Sequence, residues 1–154
     1  MTKICINRRL KSIIHIVESI DDTYGGPARS IPMLCKGMAE LGFHNIILSV
    51  DSEAATNSLI KEENFEWLKS KPFSGLKGYY SSDLTRLLIK KITELRSDNV
   101  KFYIHLHSIW SYPSVVVYRV CKQFEIDYVV TPRSSLQLLS LNKNKLIKSI
   151  LLHL

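Results

Sequence analysis

Hydrophobic residues along the chain occur in two alternating patterns. Short, almost wholly apolar runs are typical of strands that are buried on both faces of a parallel sheet. Four such runs predict strands: Ile13–Val17, Ile46–Val50, Phe102–Leu106 and Tyr128–Thr131. Between the runs, apolar residues recur every three or four positions, which is typical of one face of a helix. Strands alternating with helices imply right-handed crossovers, so the pattern predicts an α/β protein with a doubly wound parallel sheet.

Start and stop signals refine the helix predictions. The first helix is predicted to have Ser30 as its cap and Pro32 in its first turn, and to end at Gly42. A second helix is predicted after Ser82, and Pro113 opens a third. One more apolar stripe predicts a helix that reaches the last residue, with the positions Leu146, Ile147, Ile150, Leu151 and Leu154.

The segment from Asp51 to Tyr80 lacks a clear periodicity. Pro72, Gly75 and Gly78 interrupt it. We therefore predict a short helix followed by an irregular or β segment.

Length and composition bound the class of protein. The 154 residues suffice for one domain with a proper core but not for two. A content of 45% hydrophobic and 23% charged residues is ordinary for a globular protein. The three cysteines are far apart in the sequence, which argues against a disulfide framework or a zinc knuckle and favours a reducing cytoplasm. No apolar run approaches the roughly 20 residues of a membrane span, so we expect a soluble protein.

The formal net charge of +7 indicates an anionic partner. Nucleic acid, anionic lipid and phosphorylated substrates all remain open on charge alone, as does a simply solvated basic face. Basic residues cluster near both ends of the chain: Arg8, Arg9 and Lys11, then Lys143, Lys145 and Lys148. No aromatic residues that could stack on bases are interleaved with them, so nucleic-acid binding is not expected.

Polar and aromatic residues collect in the segments that follow the predicted strands. These segments read "DDTYGGPARS", "HSIWSYP" and "PRSSL". In parallel sheets, ligands bind beyond the carboxyl ends of the strands, so we predict the functional site there. Gly25 and Gly26 form either a tight turn or a phosphate contact at the start of a helix. They match neither the G-x-G-x-x-G nor the G-x-x-x-x-G-K-[ST] pattern.

Each of the other candidate residues also has a purely structural interpretation. His105 and His107 share one face of a strand and suggest a metal pair, but no third ligand at convincing spacing accompanies them. No metal is therefore expected, and His105 is predicted to pack inside. Trp110 and Tyr112 could also occupy core positions, which is the commoner place of isolated aromatic residues. Arg133 is equally compatible with a helix cap or an ion pair.

Three stretches taken together resemble one known family. They read "GGPARSIPMLCKGMAELGFHNIILSV", "HLHSIWSYPSVVVYRVCKQFEIDYVVTPRSSL" and "KNKLIKSILLHL". In order and spacing they resemble the amino-terminal, Rossmann-like half of family four glycosyltransferases with the GT-B fold. That family has a G-G-P-A loop, a strand ending in H-x-H-G-x-W, a helix opened by proline, a strand ending in S-P-R-G and a basic helix. The resemblance covers residues 13 to 154 except for the segment from Asp51 to Tyr80.

The resemblance implies retaining transfer of a sugar from a nucleotide-sugar donor, without a metal or other cofactor. It implies a glycan or lipid-linked acceptor, bacterial surface polysaccharide synthesis and peripheral contact with the cytoplasmic face of a membrane. Gly25 and Gly26 would contact the donor diphosphate, and a branched side chain at Gly26 would block the phosphate and strain the turn. His107 would be the catalytic contact to the transferred sugar. The residues implied on the acceptor side are Arg29, Ser108, Trp110, Tyr112 and Arg133.

The sequence also departs from the family pattern. Ser108 and Ser134 occupy places where glycine is usual. The second, nucleotide-binding domain of the fold does not follow within these 154 residues. We therefore expect residues 1–154 to form one folded domain that transfers no sugar alone, and that self-associates or needs a partner supplying the second domain. A fragment, a truncated product and one part of a split enzyme all remain open.

Two other classes of function compete with this interpretation. A non-catalytic module could dock on an anionic membrane or a partner protein through the basic segment from Lys143 onward. A nucleotide-dependent oxidoreductase domain is disfavoured because the glycine spacing is wrong. In addition, no acidic residue ends the predicted second strand apart from Asp51.

Overall fold

A five-stranded, wholly parallel sheet forms the centre of the molecule. The computed structural model describes residues 11–60, 65–74 and 79–133. The strands are β1 (Lys11–Val17), β2 (Phe43–Ser49), β3 (Phe65–Lys69), β4 (Phe102–Leu106) and β5 (Tyr128–Val130). The helices are α1 (Gly26–Glu40), α2 (Leu84–Ser97) and α3 (Tyr112–Phe124), and a short 3₁₀ turn covers Asp22–Tyr24.

The strand order is β3-β2-β1-β4-β5, which confirms the predicted α/β fold with a Rossmann-like parallel sheet. The chain moves outward from β1 in one direction through β2 and β3, and then returns to place β4 on the other side of β1. The order therefore reverses between β1 and β4. In open parallel sheets, ligands bind in the crevice at this point, beyond the carboxyl ends of the strands.

The two faces of the sheet carry separate apolar cores. Side chains alternate between the faces along a strand, so Ile14 and Ile16 of β1 lie on one face and Val17 on the other. The first face packs against α2 and α3. The second packs against α1, whose Ile31 and Cys35 contact the sheet. The apolar runs predicted as strands are thus covered on both sides, which is the physical reason that they lack polar alternation.

The prediction for the start of α1 is wrong by one turn. The helix begins at Gly26, so Ser30 lies inside it and Pro32 is an interior residue. Pro32 has no N–H to donate to the carbonyl of Ala28, four residues earlier. Asn57 Nδ2 donates to that carbonyl instead, at 2.8 Å. A side chain from a distant loop thus makes the proline tolerable, which no local sequence signal reports.

The predicted end of α1 is confirmed. The helix ends at Glu40, and Gly42 has a φ of +85°. Such a left-handed backbone just beyond a helix favours glycine.

The segment between Asp51 and Tyr80 differs from its prediction. Within its described parts, residues 51–60, 65–74 and 79–80, the backbone contains no helix. Phe65–Lys69 instead pairs with β2 as an edge strand. The run is too short for its periodicity to separate strand from helix, and the neighbouring strand decides.

Some predictions concern residues outside the described ranges. These are the last helix, the departure at Ser134, and all of the terminal basic residues except Lys11. None of the helices in the described ranges combines the length and the apolar character that crossing a bilayer requires.

Candidate functional site at the carboxyl edge of the sheet

The structure brings three of the predicted site elements together beyond the ends of β1, β4 and β5. The backbone N–H of His107 donates to the carbonyl of Ile16 at 2.9 Å, which fixes His107 one residue past β4. Arg133 follows β5. Its Nη1 donates to Ser30 Oγ of α1 at 2.8 Å, and its Nη2 donates to His107 Nδ1 at 3.2 Å. The guanidinium group therefore links the first turns of α1 to the end of β4.

Gly25 and Gly26 have different structural roles in the turn that leads into α1. Gly25 is the N-cap, with φ +93° and ψ −133°, a backbone conformation that L residues with side chains rarely adopt. Gly26 is the first helical residue, and a Cβ built on it has no described heavy atom within 4 Å. The expectation that a branched side chain at Gly26 strains the turn is thus wrong, since the strain belongs to Gly25. A side chain at Gly26 would occupy only the open space beyond the helix.

That open space faces the amino terminus of a 15-residue helix. The first-turn N–H groups of a helix have no partner within the helix, and its dipole places partial positive charge at this end. Arg29 is exposed on the first turn, and the guanidinium of Arg133 binds Ser30 nearby. The arrangement suits an anion such as a phosphate.

His107 is buried, with 2% of its surface exposed, and both of its ring nitrogens have partners. Nδ1 faces Arg133, while Nε2 lies 3.0 Å from Nδ1 of His15 in the middle of β1. His15 Nε2 in turn lies 3.2 Å from Oδ1 of Asn45 in β2. His15 and Asn45 are completely buried. A chain of hydrogen bonds therefore runs from the edge of the sheet into its interior.

Burial keeps both imidazoles of this chain neutral. It lowers the pKa of His15 to about 4, against the opposing effect of the hydrogen bond to Asn45. It also lowers the pKa of His107 to about 2, together with the nearby His105, His15 and Arg133. A charged imidazole would lose its hydration here, and a second positive charge would face the guanidinium.

The sequence prediction missed the third histidine of this cluster. His15, His105 and His107 each offer a ring nitrogen, and these atoms lie within 4.8 Å of one another. Such a set could hold a transition metal. However, a metal on Nε2 of His107 would leave the proton on Nδ1, facing Arg133, whose guanidinium can only donate hydrogen bonds. The described contacts therefore suit a hydrogen-bond chain better than a metal centre.

His105 differs from its two neighbours. It was predicted to pack inside, but it is only half-buried. Its Nε2 lies 2.7 Å from the hydroxyl of Thr131, and its ring centroid is 4.0 Å from that of His107. Burial lowers its pKa as well, and Arg133 adds to the effect.

The remaining predicted acceptor residues lie in the loop after β4 and at the start of α3. Ser108 is buried, and its hydroxyl shares a 2.9 Å hydrogen bond with that of Ser111. Its side chain therefore shapes the loop from inside. Trp110 and Tyr112 are half-buried. The ring of Tyr112 lies 5.1 Å from that of Tyr80.

A cleft of about 650 Å³ opens beside these residues, between the segments that follow β1, β2 and β3. The sequence prediction did not include it. Tyrosine rings and carboxylates are prominent in its lining: Tyr24, Tyr79, Tyr80, Asp21 and Asp51. The hydroxyl of Tyr24 donates to Glu18 at 2.8 Å, and burial raises the pKa of that phenol. The adjacent tyrosines after Gly78 were a sequence signal for this cleft. However, no strand was predicted just before them, so nothing in the sequence placed them near the site.

Asp51, although it lines this cleft, has its carboxylate already bonded within the protein. One oxygen accepts from Ser19 Oγ, and the other accepts from Ser49 Oγ and the N–H of Ile20. An acidic residue near this position binds the ribose in dinucleotide-binding domains. Here its oxygens instead fix the loop after β1. This use of the carboxylate weakens the oxidoreductase alternative further.

Comparisons with known proteins agree with the fold and leave the family open. No protein-family model matches the chain, and no curated protein matches it. Among solved structures, the chain is similar to that of a ugt transferase from Siraitia grosvenorii in complex with UDP. The TM-score is 0.50 and the identity 11%, over 78% of this chain and 27% of that one. The chain therefore has a glycosyltransferase-like, Rossmann-type α/β fold, and it spans about a quarter of the length of that transferase.

Proposed function

We propose that the chain is the amino-terminal, acceptor-side half of a retaining glycosyltransferase of the GT-B type. It would transfer a sugar from a nucleotide-sugar donor to a glycan or lipid-linked acceptor. The observation that carries the proposal is the meeting of three elements at the switch point of the sheet: the open amino terminus of α1, the guanidinium of Arg133 and the imidazole of His107. Together they can hold a diphosphate and a sugar hydroxyl next to each other.

The donor diphosphate would lie over Gly25 and Gly26. Both glycines are exposed, and neither has a side chain that would keep a phosphate from the backbone N–H groups. As the bond to the sugar breaks, negative charge grows on the diphosphate. The positive end of α1 and the guanidinium of Arg133 would stabilise that charge.

Arg133 would change partners when the donor binds. In the described structure its guanidinium donates to two neutral groups, Ser30 Oγ and His107 Nδ1. Charge-assisted hydrogen bonds to a phosphate are roughly twice as strong as neutral ones. The diphosphate would therefore draw Arg133 away from His107. The exposed Nδ1 could then accept a hydrogen bond from a hydroxyl of the transferred sugar.

The acceptor would enter through the cleft beside the site. Tyrosine rings line it, and such rings can stack on sugar rings while their hydroxyls exchange hydrogen bonds with sugar hydroxyls. Arg29, Trp110 and Tyr112 would contact the acceptor from the side of α1 and α3, and Ser108 would act through the shape of its loop. With a lipid-linked acceptor, the domain would work at the cytoplasmic face of a bacterial membrane during polysaccharide synthesis.

A second domain would complete the enzyme. The proposed site offers groups for the diphosphate and the sugar, while the base and ribose of the nucleotide need further contacts. A separate nucleotide-binding domain, in the same or another chain, would supply them and close over the site. The 154 residues alone should then bind donors weakly and transfer no sugar, because a closed cleft is needed to exclude water.

Amide NMR on the ¹⁵N-labelled chain tests the donor site. Pyrophosphate and UDP should both shift the amide signals of Gly25, Gly26 and Ala28, whereas uridine, which lacks the diphosphate, should not. Gly26→Val should reduce the shifts by filling the space above the helix. Gly37→Val is the matched control, since Gly37 is another exposed glycine of α1 with open space around it, far from this end.

Two results would contradict the proposal. One is the absence of any pyrophosphate-induced shift at these amides up to millimolar concentrations. The other is an equal response in both glycine variants, which would place the anion elsewhere.

A further inference from the structure

A buried chain of polar side chains crosses the α1 face of the sheet, next to an apolar core. Val17, Ile31 and Ile47 belong to the core on this face, yet His15 and Asn45 lie there fully buried. Neither residue reaches the carboxyl edge of the sheet. Burying polar groups in such a place costs free energy unless each one is hydrogen-bonded. Their partners therefore indicate what these two residues do.

The proton positions in the hydrogen-bond chain from Arg133 to Asn45 follow from the partners at its two ends. At the inner end, Asn45 Nδ2 lies 3.0 Å from the carbonyl of Cys35 and 3.2 Å from that of Phe43. The amide nitrogen must donate to these carbonyls, so Asn45 Oδ1 is the acceptor that faces His15. His15 Nε2 must then carry a proton. In a neutral ring, His15 Nδ1 is consequently an acceptor.

At the outer end, the contact between Arg133 and His107 requires the hydrogen bonds to be donated in the same direction, toward Asn45. Arg133 has only donors, so His107 Nδ1 must accept from it. The proton of neutral His107 is then on Nε2, where it is donated to His15 Nδ1 at 3.0 Å. Each donor thus meets one acceptor from Arg133 to Asn45. Moving one ring proton to the other nitrogen would place two donors or two acceptors face to face.

We propose that His15 and Asn45 are positioning residues that hold the proton of His107 on Nε2 and so make its outward nitrogen, Nδ1, a hydrogen-bond acceptor. The ligand chemistry follows from this tautomer. Nδ1 binds a donor, such as a hydroxyl or a guanidinium, and it repels a phosphate oxygen. That the donor is a sugar hydroxyl rests on the proposed function. The position of the proton does not.

Burial supports a fixed tautomer. If His15 were protonated, both of its nitrogens would donate, and the proton of His107 would have to move to Nδ1 against the guanidinium. The low pKa of His15 makes this rare near neutral pH. Among the described residues, His105 opposes a positive charge on both rings, and Arg133 also opposes one on His107.

The experiment is ¹⁵N NMR of the histidine rings in the full 154-residue chain, where long-range couplings show which nitrogen carries the proton. His107 should show a single neutral tautomer, protonated on Nε2, at pH 6 to 8. His15→Phe keeps the ring volume but removes the acceptor. The buried Nε2–H of His107 then lacks a partner. The ratio of the Nε2-protonated to the Nδ1-protonated form of His107 should therefore fall by about tenfold or more.

Two further variants separate positioning from general disturbance of the cluster. His15→Asn places an amide oxygen near the position of Nδ1 and should restore the proton to Nε2 of His107. Thr131→Val removes the neighbouring hydrogen bond to His105 but none of the bonds between Arg133 and Asn45. It should therefore leave the tautomer of His107 unchanged.

Several outcomes would overturn the proposal. One is a proton on Nδ1 of His107 in the unmodified chain, a measurement that depends on no variant folding. Another is an unchanged ratio of the two tautomers of His107 in His15→Phe. A third is a shift of all three ring systems on addition of equimolar ZnCl₂, which would identify the cluster as a metal site. None of these readings depends on donor binding, so they are separate from the test of the proposed function.

Discussion

Acidification from pH 7 to pH 5 should destabilise the fold through its buried imidazoles. In the unfolded chain, histidine has a pKa near 6.5 and takes up a proton over this range. In the folded chain, the pKa of His15 is lowered to about 4 and that of His107 to about 2, so neither is protonated. The unfolded state therefore binds more protons, and the free energy of unfolding falls as the pH falls.

The size of the effect follows from the number of protons. Between pH 6 and pH 5, the two imidazoles should give a slope of about 2.4 kcal/mol per pH unit. From pH 7 to pH 5, the loss should be about 2 kcal/mol for each imidazole, or about 4 kcal/mol for both. His105, whose pKa is also lowered, adds in the same direction. A loss of this size is a large part of the 5–15 kcal/mol typical of a domain.

Urea denaturation at pH 7, 6 and 5, followed by tryptophan fluorescence, measures this loss. His15→Phe is the informative variant, since removing one titrating group should reduce the loss between pH 6 and pH 5 by about 1.2 kcal/mol. The described carboxylates with lowered pKa, Asp21, Asp83 and Glu94, act in the same direction but at lower pH, because their stabilisation is lost mainly below about pH 5. A free energy of unfolding that stays constant between pH 7 and 5 would refute the reasoning.

Two further predictions concern the turn before α1 and Pro32 inside that helix, and both are measured by urea denaturation. Gly25→Ala should cost about 1–3 kcal/mol because its φ of +93° strains a side chain, and the same change one residue later, in a helical conformation, should cost much less. Asn57→Ala should cost about 3 kcal/mol, since its amide donates to two carbonyls. Adding Pro32→Ala should restore about 1 kcal/mol by giving one carbonyl an N–H of the helix, and strict additivity of the two changes would contradict this role.

The strands and the helix faces could be predicted because their cause is local. Phe102–Leu106 was predicted with its observed bounds, and the other three predicted strands differ from the observed ones by up to three residues at an end. Apolar runs without polar alternation occur where both faces of a strand are covered. The start of α1 was missed because Pro32 at a first turn is the commoner arrangement. The interior position is made acceptable by Asn57, which is 29 residues from Ala28.

The sequence also predicted that the loops of the candidate site lie together, since the carboxyl ends of parallel strands share one edge. It thereby indicated Gly25, His107 and Arg133 without any knowledge of their distances. The roles of Gly25 and Gly26 could not be separated, because the sign of φ at each depends on where the helix begins. The structure assigns the constrained backbone to Gly25 alone, while the space around both glycines is open.

The sequence by itself determined the periodicity, and with it the parallel α/β fold and the edge of the sheet where ligands should bind. Only the tertiary structure decided that His15, in the middle of an apolar strand, lies against His107, 92 residues away. The contact depends on the register of β1 against β4, which pairs His15 with His105, and on β2 bringing Asn45 to the same face. Register is set by the packing of whole strands and helices, so a single polar residue within an apolar run does not reveal its partner.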